Sequence, residues 1–156
     1  MSETQVAAGR SPQTAADLTA LAAAVQALTR ASRLLERASN ELSLSDFRML
    51  SAIADGEARA SRLAARLAVG KPTVSAGIDS LERRGFVARS RVEGDQRASA
   101  LSLTGAGADI RNRVEQAMVQ RLEELCAHTP DAARVVAALE QLGGAIEAVM
   151  TERVAE

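Results

Sequence analysis

Three places in this sequence carry side chains whose types and spacing could do specific chemistry. The first is "RSRVEGDQRASALSLT", Arg89 to Thr104, where arginines flank a charged turn, Glu93-Gly94-Asp95-Gln96. Arg97 is the long, donor-rich side chain at the tip. Asp95, two residues before it, can hold that guanidinium by a bidentate pair and aim it. The second is "KPTVSAGIDSLERR", Lys71 to Arg84. A lysine and short hydroxyls gather there at a helix start marked by Pro72. Backbone N–H groups left free at such a start point the same way, and the set suits phosphate oxygens. The third is Cys126-x-His128, just after Glu123 and Glu124.

The third set leads nowhere specific. Two ligands are too few for a structural zinc site. A sensor thiol needs an electropositive, exposed setting, and two glutamates supply the opposite. Cys126 is therefore expected to be a half-buried cysteine in a helical interface, with no metal. "GAG" at Gly105–Gly107 follows a strand and opens a helix, but Ile110 stands where a dinucleotide fingerprint needs its third glycine. It is read as the passage from hairpin to helix. With one His, one Cys and no Tyr, no nucleophile–base pair with an orienting third group can be assembled. The chain is not expected to be an enzyme or to hold a cofactor.

Charge decides what the first two sets face. The whole chain has net charge −1. Residues 1–58 carry net −2, residues 59–113 net +6 and residues 114–156 net −5. A basic middle between acidic ends is the footprint of a polyanion-binding segment. The 156 residues include two Phe and no Tyr or Trp. A core of Leu, Val and Ala is thin per residue, so a second copy is expected to complete it. The single cysteine fits a reducing compartment. The first residues lack a basic stretch leading into an apolar one, and no run is long enough to span a bilayer. A cytoplasmic protein without a membrane partner is the expectation.

Helical elements must position these residues. Residues 1–14 read as a disordered tail. From Ala15 to Glu41 the residues Leu18, Leu21, Val25, Leu28, Leu35 and Leu42, with Ser32 and Ser39 between, follow a 3,4 spacing that makes one helix face. A second helix, capped near Ser45, carries Phe47, Leu50 and Ile53 and stops at Asp55-Gly56. Ser61 is expected to cap a short third. Val69-Gly70 turns into a fourth helix at Lys71-Pro72, whose Val74, Ile78 and Leu81 form one buried stripe. Gly85 ends it. "FVARSRV" and "ASALSLT" read as a hairpin, with Leu101 and Leu103 on one face. Thr104 caps a fifth helix, and Thr129-Pro130-Asp131 restarts a sixth with Val135, Leu139, Leu142, Ile146 and Val149.

Ser43 to Ile110 resembles the MarR (multiple-antibiotic-resistance regulator) family. The resemblance rests on "TVSAGIDSLERRGFV", the Asp-x-Arg of the hairpin and "LSLTGAG". It implies a mainly α fold with a small β-hairpin: a winged helix–turn–helix lobe over 43–104, with a helical dimerisation platform from both termini, 15–42 and 105–156. It further implies a homodimeric repressor on a pseudo-palindromic operator in double-stranded DNA, released by a small-molecule effector. The fourth helix would enter the major groove with Lys71, Thr73, Ser75, Ala76, Ser80 and Arg83. The wing would reach the minor groove with Asp95 and Arg97. Arg89 and Arg91 on the strand, and Arg62 and Arg66 on the third helix, would touch phosphates. Phe47, Leu50, Leu28, Ser32 and Ile110 would line an effector pocket. The sequence departs from the pattern at Gln96 and Ala76, where the family often has basic residues. It departs again at Gly77, which would let the helix approach the groove closely or mark a weaker binder. A dimeric winged-helix module that binds protein instead of specific DNA is the alternative.

Overall fold

Caps and left-handed residues divide the chain into its elements. The computed structural model describes residues 15–56, 59–92 and 95–155, so the expected tail at 1–14 and the turn residues Glu93-Gly94 lie outside the described residues. The order is α1 (Ala15–Glu36), α2 (Leu44–Ala54), α3 (Ala60–Leu67), α4 (Lys71–Arg83), β1 (Val87–Val92), β2 (Asp95–Leu103), α5 (Gly105–Cys126) and α6 (Ala132–Ala155). The fold is mainly helical with one two-stranded antiparallel sheet. Residues up to Leu34 form one compact unit and Leu35–Glu156 another.

In the first unit α1 shows its apolar face. Leu18, Leu21, Val25 and Leu28 are each 43–60% exposed. The helix stops at Glu36, five residues short of the sequence expectation. Ser39 explains the stop: its hydroxyl accepts from the Glu41 N–H at 3.2 Å, a local bond that competes with the helical one. Leu42 then turns into the core at 4% exposure. Ser39 and Leu42 thus leave the helical seam that their spacing suggested.

The second unit is built around α2. Ser43, not Ser45, caps it, with its hydroxyl accepting from the Asp46 N–H at 3.0 Å. Both serines satisfy the composition of a cap; only Ser43 has the extended backbone the role requires. At α3 the cap position is Arg59 with no side-chain bond, and Ser61 lies inside the first turn. Asp131 caps α6 through its bond from the Arg134 N–H at 3.0 Å. Thr129, expected to open α6, instead closes α5 by donating to the Cys126 carbonyl at 2.7 Å.

Leu50, Leu63, Ile78, Leu81, Val74 and Val114 are fully buried and draw α2, α3, α4 and α5 together. Each contributes roughly 1.5–3 kcal/mol relative to exposure. Val87 and Leu101 add the floor of the hairpin to this core, with Leu103 packed against it. The helix–turn–helix itself closes on Ala68, which has φ 53°. Its N–H bonds to Ala65 and that of Val69 to Ala64, at 3.1 and 3.2 Å, a paired C-terminal motif that normally uses glycine. The same motif ends α4 with Gly85 at φ 76°. There Gly85 donates to Glu82 and Phe86 to Leu81, both at 2.9 Å.

Candidate nucleic-acid interface

Burial of Val74, Ile78 and Leu81 turns the opposite side of α4 outward. Lys71, Thr73, Ser75, Ala76 and Arg83 are exposed there, with Ser80 half-buried. Gly70 occupies the N-cap without a side-chain bond, so the first N–H groups of α4 have no side-chain acceptor at the cap. Among the described residues, Lys71 and Arg83 enter no ion pair.

Gly77 does not face outward. A Cβ there would sit 2.4 Å from Met49 Cε and 2.6 Å from its Sδ. The glycine lets α4 cross α2 closely. Its cause is packing inside the lobe, which replaces both readings offered from the sequence, close approach to a groove and weak binding. Only the tertiary contact with Met49, 28 positions earlier in the chain, could have revealed this.

Arg62 and Arg66 lie four apart on α3, which puts them on one side, and Arg59 stands at its N-cap. Arg59 and Arg62 are exposed and outside any ion pair of the described residues. Arg66 is partly committed: it pairs with Asp55 at 2.9 Å and lies 4.0 Å from Glu147. Arg59 was not singled out in the sequence; its exposure at the N-cap of α3 adds it to the candidates.

Arg89 leaves β1 toward α4. It pairs with Asp79 and, through Nε, with Glu82 at 3.3 Å. It therefore ties the hairpin to the helix beside it. Backbone pairing runs from Val87 opposite Leu103 to Arg91 opposite Ser99, and then shifts so that Val92 faces Asp95. Such a shift bends and twists a hairpin. Asp95 belongs to β2, so the turn is shorter than expected. Arg91, Asp95 and Arg97 lie on this hairpin, but their side chains fall outside the described residues.

The base of the hairpin is locked to α5. Thr104 caps α5 by accepting from the Gly107 N–H at 3.0 Å and donates to the Gly85 carbonyl at 2.6 Å. Its own N–H donates to the Phe86 carbonyl at 3.1 Å. A Cβ on Gly107 would lie 1.9 Å from that same carbonyl oxygen. The "GAG" stretch is thus a close helix-to-strand contact.

A two-helix motif closed by a tight turn, with an exposed face on its second helix and a hairpin tied to that helix, is a winged helix–turn–helix. Residues 40–98 match the model of the MarR family. The winged helix–turn–helix of this chain is similar to that of the MarR family. MarR from E. coli, in its apo form, is 26% identical, with 83% of this chain and 96% of that chain covered at a TM-score of 0.67. A cysteine-to-serine variant of the same E. coli MarR, solved with operator DNA, covers 83% of this chain and 92% of that one, at 26% identity and a TM-score of 0.64. The repressor CouR, solved on a 23-mer DNA duplex, is 21% identical over 90% of this chain and 98% of that one, with a TM-score of 0.69. No curated protein matches by sequence.

The residues assigned to an effector pocket scatter by burial. Leu50 and Ile110 are core residues of the second unit, and Phe47 is half-buried against that core. Leu28 is 43% exposed on α1, and the Ser32 hydroxyl donates to its carbonyl at 3.0 Å. A separate groove of about 750 Å3 lies between the end of α5 and the start of α6, lined by Val119, Leu122, Val136, Ala137 and the buried Cys126. His128 makes a 2.8 Å contact with the Glu124 carbonyl through Nδ1. Among the described residues, no three His, Cys, Asp or Glu side chains stand together as a metal site. Among them too, no helix is long and apolar enough to cross a membrane.

Proposed function

We propose that the chain is a DNA-binding transcriptional regulator that acts as a homodimer, a repressor on a pseudo-palindromic operator. The observation that carries this reading is the two-sided character of α4. Val74, Ile78 and Leu81 anchor it, while Lys71, Thr73, Ser75 and Arg83 stand outward and make no ion pair among the described residues. A helix so presented offers donors and short side chains to a major groove. Arg59, at the N-cap of α3, and Arg62, on that helix, add basic side chains, and the E. coli MarR variant and CouR, both solved with DNA, support the same use. The packing of Gly77 against Met49 removes one ground for a protein-binding module.

The dimer is supported by apolar surface that one copy leaves uncovered. The α1 seam is exposed, and on α6 Leu139, Leu142, Ile146 and Val149 are 37–53% exposed. The open groove between α5 and α6 adds to this surface. An exposed apolar area on long helices is where a second copy gains most. Release by a small ligand would follow if the ligand bound two dimer shapes with different affinity.

The test is fluorescence anisotropy on a duplex from upstream of the chain's own gene, against a scrambled duplex, across a salt series. Sequence-dependent binding should weaken with a log–log slope of about −0.9 per phosphate neutralised. Equal, salt-insensitive binding to both duplexes would favour a protein partner.

A further inference from the structure

Two arginines from different elements meet the same residue of the segment that joins α1 to α2. Arg84, at the C-cap of α4, donates from Nη2 to the backbone carbonyl of Glu41 at 3.0 Å. Its Nη1 reaches the Asp46 carboxylate in the first turn of α2, also at 3.0 Å. Its guanidinium lies over the Phe86 ring, 4.9 Å from the centroid. Arg113, on α5, donates to the Glu41 carboxylate at 3.0 Å. The next residue, Leu42, is anchored in the core. Glu41 is thus held by its main chain from the end of α4 and by its side chain from α5. Arg84 itself sits against the paired motif at Gly85 and Phe86 that fixes where α4 ends and β1 begins.

We propose that Arg84 and Arg113 are positioning residues that act through Glu41. They clamp the α1–α2 connection to the end of the reading helix, so that a displacement of this connection is passed to the α4–β1 corner. A lysine in place of Arg84 could keep a charge near Asp46. It could not also donate to the Glu41 carbonyl while lying flat on Phe86, because it lacks the planar fork. The Arg113–Glu41 pair is about half exposed on both sides, so its loss costs little global stability. What its loss changes is position. That α4 reads DNA rests on the function proposed above; the clamp itself does not.

The test reads the corner directly, by native-state amide exchange of the full chain. In Arg113→Ala the Gly85 and Phe86 amides should exchange on the order of threefold faster, while amides of the Leu63 and Val114 core keep their rates. Adding Arg113→Ala to Glu41→Ala should bring no further change, since both remove the same link. Arg84→Lys should reproduce the faster corner, and Arg113→Lys should restore most of the protection. Unchanged corner amides in Arg113→Ala, a uniform acceleration of all amides, or wild-type behaviour of Arg84→Lys would overturn the clamp. A second arm uses the upstream duplex. If the wild type binds it, Arg84→Lys should weaken binding at least about threefold with the salt slope unchanged, because no phosphate contact is removed. If the wild type binds no duplex, the functional reading fails while the exchange result still decides the clamp.

Discussion

Gly107→Ala should be among the most damaging single-methyl changes in the chain. The added Cβ would lie 1.9 Å from the Phe86 carbonyl oxygen, 2.8 Å from its carbon and 3.1 Å from its Cα. All three are backbone atoms, so no side chain can swing aside. Reaching an ordinary contact of 3.4 Å requires α5 and the start of β1 to separate by about 1.5 Å. That displacement stretches the Thr104 N–H bond to Phe86, now 3.1 Å, and the Thr104 hydroxyl bond to Gly85, now 2.6 Å. Each lost hydrogen bond costs about 1 kcal/mol, and the overpacking adds about 1–3 kcal/mol. A total near 3–5 kcal/mol follows, a large part of the stability of a small domain. Gly105→Ala is the control. It lies two residues earlier on the same helix with nothing within 4 Å, and Ala should be neutral or stabilising by up to about 1 kcal/mol. Urea unfolding at one fixed protein concentration separates the two, since dimerisation would couple stability to concentration. Equal midpoints for the two variants would refute the argument that Gly107 is required by the strand at its side.

The remaining predictions are smaller. Ala68→Gly should stabilise the lobe by about 0.5–1 kcal/mol, because φ 53° is strained for Ala and free for Gly; a lower melting temperature would argue against it. Gly77→Ala should be destabilising in the native background, where Met49 fills the space. In a Met49→Ala background the same change should recover the helix preference of Ala, about 1 kcal/mol, and a double-mutant cycle with coupling near zero would show that the two residues do not contact. Arg97→Ala should weaken operator binding by about 1–3 kcal/mol while leaving the dimer unchanged in size-exclusion chromatography; unaltered affinity would remove the wing from DNA reading.

Much of the fold was legible because its signals are local. Pro72 beside Lys71, Gly85 after Arg84 and Thr104 before Gly105 each fix an element end by their own backbone chemistry, and α4, the hairpin and α5 begin or end there. The apolar stripe Val74, Ile78, Leu81 is equally local, and it is buried throughout. Where several residues had the right chemistry, sequence could not choose. Ser43 and Ser45 both suit a cap, and so do Thr129 and Asp131; the extended backbone of Ser43 and the bond from the Arg134 N–H to Asp131 settle which residue caps. The 3,4 spacing that ran through Ser39 to Leu42 was broken where Ser39 accepts from the Glu41 N–H and Leu42 turns into the core.

What only tertiary structure decided involves partners far apart in the chain. The basic middle, the apolar spacing of the long helices and the stripe of α4 follow from composition and period alone, because charge and helical geometry do not depend on the rest of the fold. The reason for Gly77 is Met49, and the reason for Gly107 is a carbonyl of Phe86. The role of Arg84 is set by Asp46 and Glu41, at separations of 38 and 43 residues. A glycine or an arginine is ambiguous by itself, since each tolerates many environments. Its meaning comes from the atoms that packing brings within a few ångströms, and no periodicity encodes them.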